Sequence, residues 1–101
     1  MIELVKTCNA CPEQYDAFEN GRQVGYLRLR HSYFYVECPG IGRDVESEIV
    51  YEAKIGGMDV GCFNEEERQE HLPRAIEAIE RWLGRGKMPE PMFTLEEITN
   101  A

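Results

Sequence analysis

The residues best suited to chemistry are four cysteines. Cys8 and Cys11 form a Cys-x-x-Cys motif followed by Pro12, and Cys38 and Cys62 stand further along the chain. Two thiolates at this spacing can grip one zinc ion, as in zinc knuckles. A structural zinc needs two more ligands, however, and the second pair is not another Cys-x-x-Cys. A zinc-stabilised domain that uses Cys8, Cys11, Cys38 and Cys62 is therefore an alternative that we do not favour.

Simpler interpretations exist for each of these ligands. Free cysteines are often small core residues, which suits Cys38 and Cys62. The motif then lies in a surface loop, and all four thiols are reduced. His31 and His71 are further candidate ligands, but the pattern around them indicates a turn residue and a helix-surface residue. A redox role fits less well, because a redox Cys-x-x-Cys normally opens a helix beside a βαβ unit. We expect no cofactor.

A second group combines tyrosine and arginine side chains at alternate positions of neighbouring strands. Such a face can stack nucleobases and pair phosphates, or it can form a protein interface, where Tyr and Arg are enriched. It can also consist only of cross-strand pairs that stabilise a solvent-facing surface. We favour a binding or regulatory role on a protein partner, or self-association, for this group. The predicted binding residues are Tyr15, Tyr26, Arg28, Arg30, Tyr33 and Tyr35.

The segment from Val24 to Cys38 predicts the hairpin that positions most of these residues. Apolar side chains alternate with polar or amphipathic ones, which is the period of half-buried strands. A two-residue turn at His31-Ser32 places one apolar face towards a core and one Tyr/Arg-bearing face outward. A slip of one residue would expose the apolar set, so the pattern favours a single register. The turn is weakly encoded, since it lacks the Gly or Asn that primed turns prefer.

A strong turn signal precedes this hairpin. Asn20-Gly21 is typical of a two-residue type I′ turn, because both positions need positive φ. A turn at this point pairs Ala17 with Val24 and Tyr15 with Tyr26, which sends Tyr15 to the outward face. Phe18 then joins the core face.

The remaining elements complete a sheet with a helix across it. Glu48–Ile55 alternates and predicts a further strand with Ile49 in the core, and residues 1–6 favour a short one. Asn64 and Glu67 form a capping box before an apolar stripe at helical spacing. Pro73 predicts a kink, or a short first helix followed by a main helix. Gly84 is the expected C-cap.

These elements predict an α+β fold with two layers: an antiparallel meander sheet of about four strands and one main C-terminal helix on one face. The 101 residues suit one domain, which we place at residues 1–87, with an extended apolar and acidic tail at residues 88–101. The net charge of −8, from 19 acids and 11 bases, opposes non-specific nucleic-acid binding. No apolar run is long enough to span a membrane, and no secretory leader opens the chain, so we expect a cytoplasmic location.

The chain carries no Gly-x-Ser-x-Gly, no phosphate loop and no GxGxxG. Its acidic clusters match a helix N-terminus and a solvated loop better than paired catalytic carboxylates. The expectation is therefore a protein that is not an enzyme.

The stretch GYLRLRHSYFYVECPG, following CPEQYDAF, resembles a pattern in small uncharacterised bacterial and phage proteins. That resemblance covers most of residues 8–83 and implies no particular activity. The hairpin ending in Cys-Pro-Gly, followed later by the helix EEERQEHLPRAIEAIERWL, is similar in order to HicB-type antitoxin domains. This second resemblance implies a sheet-plus-helix domain that masks a small RNA-cleaving partner. The extra strand and the long acidic loop depart from the HicB-type pattern, and neither resemblance assigns a role to any residue.

Overall fold

A computed structural model describes residues 1–41 and 46–88 of the chain. Within these ranges it contains one sheet and one helix. The elements are β1 (Glu3–Lys6), β2 (Glu13–Glu19), β3 (Arg22–Arg30), β4 (Tyr33–Cys38), β5 (Glu48–Lys54) and α1 (Glu65–Gly84). The strands form an antiparallel meander in the order β1-β2-β3-β4-β5, and α1 packs on β3, β4 and β5. The predicted α+β fold is confirmed, with five strands instead of about four because the N-terminal strand also pairs.

Two predictions concern segments that are not fully described. The C-terminal tail beyond Met88 and the centre of the loop between β4 and β5 lie outside the described residues. In residues 1–41 and 46–88, no helix is both long and apolar enough to cross a membrane.

The β3–β4 hairpin has the register that the alternation predicts. Leu27 pairs with Val36 and Leu29 with Phe34, and all four side chains are fully buried. The intervening residues point to the opposite face. The hairpin therefore separates an apolar surface, which α1 covers, from the surface that carries the tyrosines and arginines.

The turn of this hairpin is held by a distant loop. His31 and Ser32 have φ values of 53° and 62°, although neither is the Gly or Asn that such a turn favours. The Ser32 hydroxyl donates to the Gly57 carbonyl at 2.6 Å and accepts from the Val60 amide at 2.8 Å. The Ser32 backbone also bonds to Val60 and Ile55. These bonds to residues 55–60 stabilise backbone angles that the local sequence does not favour.

On either side of the hairpin, a β-bulge makes the observed strand pairing differ from the predicted pairing. Ala17 pairs with Gly25 and not with Val24, so Tyr15 lies opposite Leu27. Tyr15 therefore points to the core, where it is 8% exposed, and its predicted place on the outward face is wrong. Phe18 is half-buried on the other side of the sheet.

A second bulge lies between β4 and β5. Val36 pairs with Tyr51, but Glu37 pairs with Ile49, which leaves Val50 as the extra residue. Val50 packs against the core, and Ile49 is 46% exposed. The prediction of Ile49 in the core is therefore also wrong, because a bulge moves the residues beyond it to the other face.

Helix α1 begins at the predicted capping box and ends later than the predicted C-cap at Gly84. Asn64 accepts from the Glu67 amide and the Glu67 side chain accepts from the Asn64 amide, which completes the capping box. The helix continues through Pro73 without dividing into two, so that alternative is wrong. Pro73 is exposed, where water can satisfy the carbonyl that loses its donor. Gly84 is still helical, and Gly86, with φ 70°, donates to the Leu83 carbonyl.

The apolar side of α1 approaches the sheet closely at Gly25. A Cβ atom on Gly25 would lie 3.1 Å from Cδ1 of Ile79, so a larger residue would require the Ile79 side chain to give way by a few tenths of an ångström. Ala75, Ile79 and Trp82 are the helix residues most deeply buried against the strands. Close contact at this glycine lets the helix bury them.

A buried ion pair ties the sheet to the start of α1. The Glu13 carboxylate is fully covered and accepts from Arg68 Nε at 3.0 Å and from Arg68 Nη2 at 3.1 Å. It also accepts from the Tyr15 hydroxyl at 2.5 Å and from the Phe63 amide at 3.1 Å. Burial alone would raise the pKa of Glu13, but these hydrogen bonds outweigh it and lower the pKa below 4.5. The same burial, with the Glu13 charge nearby, raises the pKa of Tyr15 to about 12.

Glu13→Gln should lower the free energy of unfolding by about 2–3 kcal/mol, because a neutral amide replaces the buried carboxylate that pairs with the Arg68 guanidinium. Glu65→Gln is the matched control: it removes the exposed carboxylate that pairs with the same guanidinium at 2.8 Å. The control should change the free energy by less than about 0.5 kcal/mol. Urea unfolding of both variants measures the difference, and equal effects would contradict the assigned role of Glu13.

The pH dependence of stability tests the same pair. A carboxyl group whose pKa is lower in the folded state contributes stability above its unfolded pKa. That contribution is lost as the pH falls through the lower, folded value. Stability of the native protein should therefore fall below about pH 4.5, and it should fall less steeply in Glu13→Gln.

Candidate binding face

The side of the sheet opposite α1 carries a compact group that we call the Tyr/Arg face. Cross-strand pairing brings these residues together, since Arg28 lies opposite Tyr35 and Arg30 lies opposite Tyr33. No described strand or helix packs over this side, although Gly40 in the loop after β4 lies against Tyr26. The Tyr/Arg face consists of Tyr26, Arg28, Arg30, Tyr33 and Tyr35, which are five of the six predicted binding residues.

The three tyrosine rings of the face are in contact. Tyr33 and Tyr35 stack with centroids 5.6 Å apart, and Tyr26 meets Tyr35 edge-on at 6.2 Å. The Tyr33 hydroxyl donates to Glu52 at 2.8 Å, and the Tyr26 hydroxyl donates to Gln14 at 2.5 Å. Rings held in this way lose little conformational entropy when a partner covers them.

The pKa values of Tyr33 and Tyr35 keep these two phenols neutral at pH 7. The hydrogen bond to Glu52 raises the pKa of Tyr33. Burial raises the pKa of Tyr35, although the Arg28 charge acts in the opposite direction. The hydroxyls of both residues therefore remain hydrogen-bond donors over the physiological range.

The environment of Arg28 within the face combines an aromatic ring with an unpaired donor. Its guanidinium carbon lies 6.0 Å from the centre of the Tyr35 ring. Within residues 1–41 and 46–88, its buried Nε atom has no hydrogen-bond acceptor and no carboxylate forms an ion pair with its guanidinium. Buried donors are rarely left unpaired. Trp82 Nε1 in the core has the same status among the described residues, and Arg28 differs from it in lying on the side of the sheet opposite α1.

Arg30 is tied to the hairpin turn and has a different environment. Its Nε atom donates to Nε2 of His31 at 3.1 Å. Since Nε2 accepts, the imidazole proton lies on Nδ1, which donates to Asp59 at 2.6 Å. The prediction of His31 as a turn residue is confirmed.

The four cysteines do not form one group. Cys11 and Cys62 form a disulfide across 51 residues, which joins the loop before β2 to the segment that leads into α1. Cys8 is a half-buried free thiol, and Cys38 is a fully buried one at the end of β4. Burial, followed by the charges of Glu48 and Glu37, raises the pKa of Cys38 to about 12. The expectation of four reduced thiols is therefore wrong for Cys11 and Cys62.

The same arrangement separates the candidate zinc ligands Cys8, Cys11, Cys38 and Cys62. Across residues 1–41 and 46–88, no three His, Cys, Asp or Glu side chains are grouped so that they could hold a metal ion.

His71 has a role that the sequence reasoning missed. It is buried, and its predicted place on the helix surface is wrong. Its ring stacks on Phe63 with centroids 5.8 Å apart, and its Nδ1 atom lies 2.7 Å from the Tyr51 hydroxyl. The signal was present, because His71 precedes Ala75 and Ile79 at intervals of four on the buried stripe of the helix.

No protein-family model matches this chain, and neither a curated protein nor a solved structure matches it. The resemblances to small phage proteins and to HicB-type antitoxin domains thus rest on the quoted sequence patterns alone.

Thiol labelling tests the arrangement of the cysteines. Without reductant, a maleimide should modify Cys8 in the native protein and should reach Cys38 only after unfolding, because the fold excludes the reagent from Cys38. All four cysteines should react after reduction and unfolding. Mass spectrometry counts the adducts, and four adducts on unfolded protein that was never reduced would contradict the disulfide.

Proposed function

We propose that the protein is a small non-enzymatic binding module that holds a protein partner on its Tyr/Arg face. The single observation that carries this proposal is Arg28. Its Nε atom is buried without an acceptor on a sheet face that no described element covers. Desolvating a donor without pairing it costs about 1–3 kcal/mol, and binding sites are where such costs are retained.

The chemistry of Arg28 selects the kind of group that it binds. A guanidinium presents Nε and Nη in a planar fork that matches a carboxylate. An Asp or Glu side chain of the partner would satisfy both the charge and the unpaired donor.

The tyrosines supply the apolar area around this contact. Tyr26, Tyr33 and Tyr35 form a continuous aromatic surface beside the guanidinium, and Tyr33 is 44% exposed. Interface hot spots are commonly a Tyr or Arg side chain that is surrounded by contacts which exclude water. The net charge of −8 favours a protein partner over nucleic acid for this face.

Arg28→Met and Tyr35→Leu should each reduce partner capture by at least about tenfold, since removing a hot spot costs about 1.4 kcal/mol or more. The matched control is Arg81→Met, because Arg81 is an exposed helix residue that pairs only with Glu77, at 2.8 Å, among the described residues. Each protein is immobilised on a solid support and incubated with a lysate of the organism that encodes it. Bound proteins are then quantified by mass spectrometry. A protein that is captured by native chain and control, but lost with both face variants, is then tested by calorimetry with purified components.

Two results would overturn the proposal. Equal capture by the native chain and Arg28→Met would remove the face from the interface. Binding of a single-stranded oligonucleotide that depends on Arg28, with no protein captured in the same way, would assign the face to nucleic acid.

A stability measurement separates a binding role from a structural one. Arg28→Met removes an unpaired buried donor together with a cation–π contact, and these effects oppose each other. The free energy of unfolding should therefore change by less than about 1 kcal/mol. A loss of more than about 2 kcal/mol would mean that Arg28 maintains the fold, because exposed cation–π contacts are worth less than that.

A further inference from the structure

The outer edge of β5 is a second unpaired surface. In the part of the chain that the structure describes, β5 is the last strand of the sheet and its only ladder partner is β4. Among the described residues, no turn, loop or side chain makes a hydrogen bond to the backbone of Glu48–Lys54 on its other side. Such an edge presents a row of free N–H and C=O groups, which another strand can pair with. β1, at the opposite edge, has only four residues.

The bulge at Val50 determines which β5 side chains flank this edge on the outward face. Ile49, Glu52 and Lys54 lie opposite Glu37, Tyr35 and Tyr33, respectively. All three β5 residues are exposed. A strand added here therefore meets one negative and one positive side chain, two positions apart on the same face.

We propose that a second copy of the chain pairs antiparallel with β5, with Ala53 of each copy at the two-fold axis. Two identical strands in one continuous sheet keep their buried faces on the same side only when residues of the same face lie opposite each other. With Ala53 at the axis, Glu52 of each copy lies opposite Lys54 of the other. The pairing thus forms two cross-strand ion pairs, which stabilise antiparallel strands.

The neighbouring symmetric registers are unfavourable. Shifting the axis to Glu52 places the two Glu52 carboxylates opposite each other, and shifting it to Lys54 does the same for the two ammonium groups. Like charges directly opposite each other destabilise a strand pair. An axis at Tyr51 would place Glu48 of one copy opposite Lys54 of the other. Glu48 points to the helix side, where it bonds to Lys87 at 3.0 Å, whereas Lys54 points to the outward face, so this register forms no such ion pair.

The exposed apolar residues near this edge agree with the same arrangement. Ile49 is 46% exposed near the start of β5, and Met58 is 96% exposed in the loop after it. Antiparallel pairing brings the start of β5 in one copy towards the loop after β5 in the other. The two five-stranded sheets become one sheet, with both helices on one side and both Tyr/Arg faces on the other. This dimer does not depend on the proposed function, but it would give that function two coplanar faces.

Sedimentation velocity of the full chain over a wide concentration range tests the proposal when the native chain is compared with variants whose charges at Glu52 and Lys54 are reversed. The native chain should show a monomer–dimer equilibrium. Glu52→Lys and Lys54→Glu should each raise the dissociation constant about tenfold or more, because each converts two opposite-charge pairs into like-charge pairs. The double variant Glu52→Lys, Lys54→Glu should restore the native value, since both ion pairs reform with reversed polarity.

Two controls isolate the β5 edge. Tyr33→Phe removes the hydroxyl that bonds to Glu52 without changing any charge, and it should remain dimeric. Glu3→Lys introduces the same charge change on β1, at the opposite edge, and should also remain dimeric. Circular dichroism confirms that each variant is folded.

A cysteine at the axis gives an independent test if a charge variant does not fold. In a Cys8→Ser background, Ala53→Cys should form a disulfide-linked dimer under mild oxidation, because directly opposite residues in antiparallel strands lie within disulfide range. Lys6→Cys on β1 is the control and should not cross-link at a comparable rate. A monomeric native chain at every concentration, a dimer that both single charge variants leave unchanged, or a failed rescue by the double variant would each overturn the proposal, as would the absence of the Ala53→Cys cross-link.

Discussion

The register of the β3–β4 pair is the constraint on which the rest of the structure depends. Side chains alternate between the two faces of a strand, so one register buries Leu27 and Phe34 under α1 and leaves Arg28 and Tyr35 on the other side. A slip of one residue would reverse both sets. The bonds of Ser32 to the loop at residues 55–60 hold this register at the turn, and the core holds it along the strands.

The helix is attached to that sheet by apolar packing and by one buried polar contact. Ile79 meets the sheet at Gly25, where the absent Cβ allows the helix to come close. At the N-terminal end of α1, Arg68 and Phe63 satisfy the Glu13 carboxylate at the start of β2. A buried charge with all its hydrogen bonds made specifies how the two layers are placed, because any other placement would leave that charge unpaired.

Among the described residues, no further strand or helix packs on the Tyr/Arg face or pairs with the outer edge of β5. The face combines stacked tyrosines with the unpaired donor of Arg28, and the edge combines a free strand backbone with Glu52 and Lys54. The two surfaces meet where the Tyr33 hydroxyl donates to Glu52. A dimer through the edge would therefore enlarge the face without covering it, which lets one small domain present two adjacent copies of the same binding surface.

Much of this arrangement was determined by patterns within short stretches of sequence. Alternation in residues 24–38 predicted the faces and the register of the central hairpin, because a strand repeats every two residues. Asn20-Gly21 predicted the turn between β2 and β3, and Asn64 with Glu67 predicted the start of the helix. Both signals act between residues at most three positions apart. Five of the six predicted binding residues consequently lie on one face.

Only the tertiary structure decided the features that join distant residues. The bulge in the β2–β3 pair, where Ala17 lies opposite Gly25, moved Tyr15 into the core, and the bulge at Val50 moved Ile49 out of it. Cys11 pairs with Cys62 across 51 residues, and Arg68 reaches Glu13 across 55. The turn at Ser32 likewise depends on Val60, which lies 28 residues away. Local propensity carries no information about such partners, since each contact exists only after the chain has brought both residues to the same place.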